Sequence, residues 1–333
     1  MPRFKQFVLR VPPLDEKAWD KEAAAAKGIE KQLLILQSKA ARLLQGINDF
    51  NASPERVAWL SMWTKAFAAL DGGRIALIGR SEYLLNIISR IIFEGTLHGE
   101  TILEPAAPLL KNWSPQKKTL LAKAEDSDLL IQRLRAYTAW CLWNDQLFYK
   151  ELQSYRTLDG VWNPEPALQM ASDKNKLTAL EEILGLDNAA VNKWELKKGR
   201  SRIKKHLQER LKIIEDLLAD PLIAEWQKKL QRTQEIGTLP FFALFAESDR
   251  SVLKHLKGMD LRFAYPIYMQ GSMLIHGSTI DQLLHIEENK ISPIVASTER
   301  ACELAAFSIH NSCDYILILL DFLQNFLWPM KHN

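Results

Sequence analysis

Two short stretches of this chain carry side chains whose types and spacing could do chemistry together. In the first, Arg90, Glu94 and His98 recur every four residues, a spacing that stacks them along one face of a helix. A guanidinium steadied by a carboxylate can grip a phosphate oxygen, and an imidazole beside it can move a proton. Ile91, Ile92 and Leu97 flank the stripe, so part of it is expected to be sequestered. There a paired Arg–Glu couple with a hydrogen-bonded His is tolerated, whereas isolated charges are costly. In the second stretch Tyr268, Ser272 and His276 repeat with the same period and end at Gly277, a phenol–hydroxyl–imidazole ladder running into a turn. Gly271 beside Ser272 would let another helix approach closely.

If the two stripes face one another across a cleft, Arg90, Glu94 and His276 make the catalytic group. Glu94 would orient Arg90, His276 would be the acid–base residue, and Tyr268, Ser272 and His98 would bind the ligand. If they do not, each stripe is an interhelical hydrogen-bond network that fixes how helices dock. Ser272 and His276 lack the G-x-S-x-G elbow of a serine hydrolase, and two groups on one helix are not a triad.

Signatures of other chemistries are missing. The chain has no GxxxxGK[ST] loop, no GxGxxG after a strand, no HExxH and no CxxC pair. Glu94 and His98 stand four apart rather than as the Glu-x-x-His of helical di-iron sites, with no second copy. His310 and Cys313, with Cys302 upstream, are half of a metal site at most, and cysteines on an apolar helix usually pack. The expectation is no metal and no cofactor.

The elements that must position these residues are helices. Ser53-Pro54, Ser114-Pro115, Asp220-Pro221 and Ser292-Pro293 each place a capping oxygen before a proline suited to a helix start. Asp71-Gly72-Gly73, Lys257-Gly258 and His276-Gly277 read as stops or turns. Between these marks the apolar residues keep helical period. It predicts a long first helix over 16–50, a second over 54–70, a third over 74–102, and a fourth over 115–157 broken near 125–128. The aromatic series Tyr137, Trp140, Trp143, Phe148 and Tyr149 in the fourth reads as core. Residues 158–166 read as a loop, 175–184 as a short helix, and 191–232 as a charged helical hairpin. Further helices are expected over 251–257, 263–276, 280–286 and 293–327. No alternating β-branched run is long enough for a strand, and no repeat of 20–50 residues is present. The predicted fold is all-α, an irregular multi-helix bundle with a charged helical-hairpin insertion. Residues 1–157 would form one half of the bundle, 158–258 the insertion or cap, and 259–333 the helices that complete the core.

Composition bounds the rest. The 333 residues are 47% hydrophobic with only 14 Gly and 14 Pro, unlike a collagenous, disordered or turn-rich β chain. Three cysteines are too few for a disulfide framework, no secretory leader is visible, and the apolar run 315–330 is interrupted by Asp321, Gln324 and Asn325. A buried helix in a cytoplasmic protein without a membrane span is therefore expected. The net charge is +3, but it is uneven. Between Lys193 and Arg232 twelve basic residues oppose six acidic ones. That segment reads either as a solvated face or as a patch for RNA, a nucleotide or an acidic protein.

The two stripes resemble a bacterial family of helical proteins, domain-of-unknown-function family 5677, whose Arg-x-x-x-Glu helix is paired with a later Tyr-x-x-x-Ser-x-x-x-His-Gly segment. The matching residues are Arg90 and Glu94, then Tyr268, Ser272, His276 and Gly277. The resemblance implies an all-α fold in which the stripes meet, and no established activity. A weaker likeness is to helical RNases of the HEPN class, whose Arg-x(4–6)-His motif is approached but not matched by Arg90–His98 and Arg300–His310. The expected function is binding or cleaving a phosphate-bearing ligand, RNA or a nucleotide, at the Arg–Glu/Tyr–Ser–His cluster. A defence role would fit such an activity. The alternative is a noncatalytic interaction or scaffold module in which the cluster is structural.

Overall fold

A computed structural model describes residues 3–9, 11–47, 51–106, 125–154, 196–233, 240–245, 284–287, 290–293 and 298–328, and the chain is an all-α multi-helix bundle. Among the described residues eight α-helices run in the order α1 (Glu16–Ala25), α2 (Gly28–Gln45), α3 (Pro54–Ile78), α4 (Glu82–Leu103), α5 (Glu125–Ser154), α6 (Leu196–Leu218), α7 (Ala224–Thr233) and α8 (Glu299–Leu327). The chain divides into two compact units, one of residues 1–138 with 228–333 and one of residues 139–227.

In the larger unit α8 packs against α2, α3 and α4. It is long and apolar enough to cross a bilayer by length and composition. Here, however, Ile309, Cys313, Ile316, Leu317, Leu320 and Leu323 are buried, as the sequence reading of 315–330 expects. Glycines set its approach. A Cβ on Gly99 would lie 2.7 Å from Leu319 Cδ1, and one on Gly95 would lie 3.3 Å from Ile316 Cδ1. Polar pins fix its register: the Trp59 indole N–H donates to the Leu320 carbonyl at 2.8 Å, and Gln324 donates to the Leu43 carbonyl at 3.0 Å.

Several boundaries differ from the sequence expectation, each for a physical reason. The long first helix is two, because Gly28 takes φ +56° where the chain turns from α1 into α2. Asp71-Gly72-Gly73 does not end a helix but lies inside α3. There Asp71 accepts a hydrogen bond from Gln37 at 3.1 Å, and a Cβ on Gly73 would sit 3.2 Å from Ile309 Cδ1. The pair is a packing window, and the true stop comes at Gly79-Arg80. Ser292-Pro293 does not start a helix. Residues 284–287 and 290–293 form a two-stranded antiparallel hairpin with His285 opposite Ser292, so the helix expected over 280–286 is a strand in that part. α8 begins instead at a Thr298 cap, whose Oγ1 accepts from Ala301 N at 3.2 Å. Asp220-Pro221 opens a turn, with Leu222 N donating to Asp220 Oδ1 at 3.0 Å, and α7 follows it. The expectations for 158–166, 175–184, 251–257 and 263–276, and for the Ser114-Pro115 start, lie outside the described residues.

In the smaller unit, α6 and the second half of α5 are joined by polar contacts. Gln146 donates to Glu215 at 3.2 Å, and Lys150 stands 4.0 Å from the same carboxylate. Trp143, Leu207, Ile214 and Leu218 are buried. Of the aromatic series read as core, Tyr137 and Trp143 are buried, whereas Phe148 is 55% exposed. It pairs edge-on with Tyr149 at 5.6 Å.

Candidate functional site

α4 carries the first stripe. Its start is capped by Ser81, whose Oγ accepts from Leu84 N at 3.4 Å, with Glu82 in the first turn, the arrangement a helix N-terminus rewards. Arg90 Nε donates to Glu94 Oε1 at 3.2 Å, and the arginine side chain is only 14% exposed. The first two members of the stripe therefore meet, as their spacing requires.

His98 has other neighbours. It is 8% exposed, and its ring centroid lies 5.7 Å from that of Tyr137 on α5 and 5.7 Å from that of Phe241. Phe241 opens the 3-10 turn Phe241–Leu244. Tyr137 and Phe241 meet edge to face at 5.1 Å, and Lys65 on α3 donates to the Tyr137 hydroxyl at 2.9 Å. Aromatic groups at these separations and angles attract one another beyond their area burial. His98 is thus one side of an aromatic cluster joining three helices and a turn.

A second set of polar contacts holds α5 in place. Arg135 Nε donates to the buried Glu55 carboxylate, and Thr138 Oγ1 donates to the Pro54 carbonyl at 2.6 Å. Arg133 pairs with Glu104 at 3.1 Å and lies 3.7 Å over the Phe245 ring. Burial lowers the pKa of this guanidinium, an effect Glu104 opposes. Sequence spacing did not reveal Lys65, Tyr137 and Phe241 around His98, nor the Glu55–Arg135 couple. The partners stand far apart along the chain and no local period links them. Gly95-x-x-x-Gly99 was missed as well, although two small residues one turn apart are a spacing that permits close helix approach.

Tyr268, Ser272 and His276 lie outside the described residues, and so does any meeting of theirs with Arg90 and Glu94. The His310–Cys313 half-site in the middle of α8 does not assemble as metal ligands would. His310 Nδ1 is 3.2 Å from Asn311 Oδ1 on an exposed face, whereas Cys313 is buried with Sγ 3.7 Å from the Ala66 carbonyl. Burial, and then Asp314, push the Cys313 thiol far up, away from the thiolate a metal requires. Among the described residues no group of three or more His, Cys, Asp or Glu side chains could hold a metal ion. Compared with known proteins, the chain matches no family model, no curated protein and no solved structure.

The charged hairpin is helical where described. α6 has no acidic residue in its first turn and no basic residue in its last. Lys197, Lys198, Arg200, Arg202, Lys204 and Lys205 stand in its first half without an acid among them, while Glu215 and Asp216 stand near its end. Lys205 is 77% exposed and 3.8 Å from Glu209.

Proposed function

We propose that this protein is a noncatalytic helical module that binds a phosphate-bearing polymer, RNA, through the cationic first half of α6. The observation that carries the reading is the order of charge along that helix. Backbone dipoles leave a helix positive at its N-terminus and negative at its C-terminus, so acids are stabilising early and bases late. α6 has neither an acid in its first turn nor a base in its last, and six cations crowd its positive half. A helix selected only for stability would carry the opposite order. The arrangement instead adds side-chain charge to dipole charge and concentrates a positive field at one end.

The density is suitable for a polyanion. Six charges over nine residues span about 12 Å of helix, against one phosphate per roughly 3.4 Å along each strand of a duplex. The acidic end of α6 is the end engaged with α5, through Glu215. In this reading Arg90, Glu94 and His98 are structural: the first two neutralise each other, and the third belongs to the aromatic cluster.

Anisotropy of a labelled single-stranded RNA of about 20 nucleotides tests the reading. Binding is expected at moderate salt, with a log–log salt slope of about −3 to −4 for four to six neutralised phosphates. It should be lost when the six cations from Lys197 to Lys205 are replaced by Gln. An unchanged affinity in that variant would sink the proposal, as would capture of an acidic protein but not of RNA.

A further inference from the structure

Resting on that RNA-binding reading, we infer that the first half of α6 is a conditional helix, completed when a polyanion neutralises it. Four features converge on residues 196–205. The dipole opposes their charge, as above. Like charges stand four apart at Lys198 and Arg202 and at Arg200 and Lys204, and each such pair weakens a helix by about twofold in its local equilibrium. Gly199 lies inside the helix rather than at its end, a further cost of about fivefold relative to alanine. The first opposite-charge pair reached along the helix is Lys205 with Glu209, 3.8 Å apart, in the less favourable order with the base first.

The second half of α6 has support of its own. Leu207, Ile214 and Leu218 are buried, and Glu215 is tied to Gln146 and Lys150. Side-chain packing therefore sustains 207–218, while residues 196–205 have a combined handicap on the order of twentyfold from Gly199 and the two like-charge pairs. Phosphates aligned along the cations would remove the repulsion and complement the dipole at once, so ordering and binding become one event. Part of the binding free energy is then spent on closing the helix, and affinity is lower than for a preformed one.

Hydrogen exchange on the full-length protein, read segment by segment with and without a 20-nucleotide poly(U) RNA, tests this. Amides of 197–205 should gain tenfold or more in protection with RNA, while those of 207–218 change little. Gly199→Ala should raise protection of 197–205 about fivefold without RNA and tighten RNA binding by up to the same factor. Lys198→Glu should move the two readouts in opposite directions. It places an acid in the first turn and an attractive pair with Arg202, so protection rises while RNA affinity falls. RNA that binds with no change in protection of 197–205 would overturn the coupling and leave the binding reading standing. Absence of RNA binding would remove both. The wild-type exchange comparison decides the coupling even if a variant fails to fold.

Discussion

At Glu100, two residues beyond His98, burial raises the carboxyl above its ordinary 4.5, because the charged form loses hydration. Among the described residues no ion pair with it occurs. A carboxyl whose pKa is raised by folding binds its proton more tightly in the native state. The linked stability is present while it is protonated and is lost as pH rises from 4.5 through the folded value. Glu100→Gln is therefore expected to stabilise the protein near pH 7 by less than about 1 kcal/mol, the side chain being partly exposed, and to give no gain at pH 4. Urea unfolding at the two pH values checks this, since an equal gain at both would mean packing rather than charge. The α4 stripe makes a second contrast at this scale. His98→Ala empties one side of the cluster with Tyr137 and Phe241 and should cost about 2–3 kcal/mol. Arg90→Ala removes the i,i+4 pair with the 39% exposed Glu94 and should cost less than His98→Ala. The reverse order in urea unfolding would show that Arg90, not His98, anchors α4.

Between α4 and α8, two glycines one turn apart let the Ile316 and Leu319 side chains lie against the α4 backbone, where a side chain at either position would force them to shift. Gly99→Ala gains about 1 kcal/mol in helix propensity, yet its methyl would lie 2.7 Å from a Leu319 methyl. Overpacking of about 1–3 kcal/mol should exceed that gain. Thermal unfolding should show a net loss of about 1 kcal/mol for Gly99→Ala and a larger one for Gly99→Leu. The same contacts explain what the sequence could say about elements. Ser53-Pro54 was readable because the cap is local: Ser53 Oγ accepts from Arg56 N at 3.3 Å. Gly72-Gly73 was misread because its meaning depends on Ile309, more than two hundred residues away. Ser292-Pro293 was misread because strand pairing with residues 284–287 overrode the capping chemistry. Of the candidate site, only the Arg90–Glu94 pair was readable from spacing. The surroundings of His98 come from α3, α5 and a turn after α7, which no period along α4 encodes.

Across the larger unit, the core is completed by α8, the last of the described helices along the chain. α2, α3 and α4 each pack on α8, and the contacts that bind them join residues about 220 to 280 positions apart, such as Ser89 with Ser308 and Lys39 with Asp314. Until residues 299–327 are present, the Trp59 indole lacks its Leu320 acceptor, and the backbone at Gly73, Gly95 and Gly99 lacks the Ile309, Ile316 and Leu319 side chains that cover it. Long-range closure of this kind makes folding slow and leaves apolar faces open in the interim. A chain ending at residue 297 is therefore expected to retain part of its helical circular dichroism, since α2 to α4 are locally favourable. It should bind a hydrophobic dye and unfold without a cooperative transition, the behaviour of a compact state without fixed side-chain packing. Addition of a synthetic 299–327 peptide should restore a cooperative melt, because the glycine windows at Gly73, Gly95 and Gly99 select that helix by shape. A sharp melt in the truncated chain would mean that α1 to α5 form a sufficient core without α8. The central place given to α8 would then be wrong.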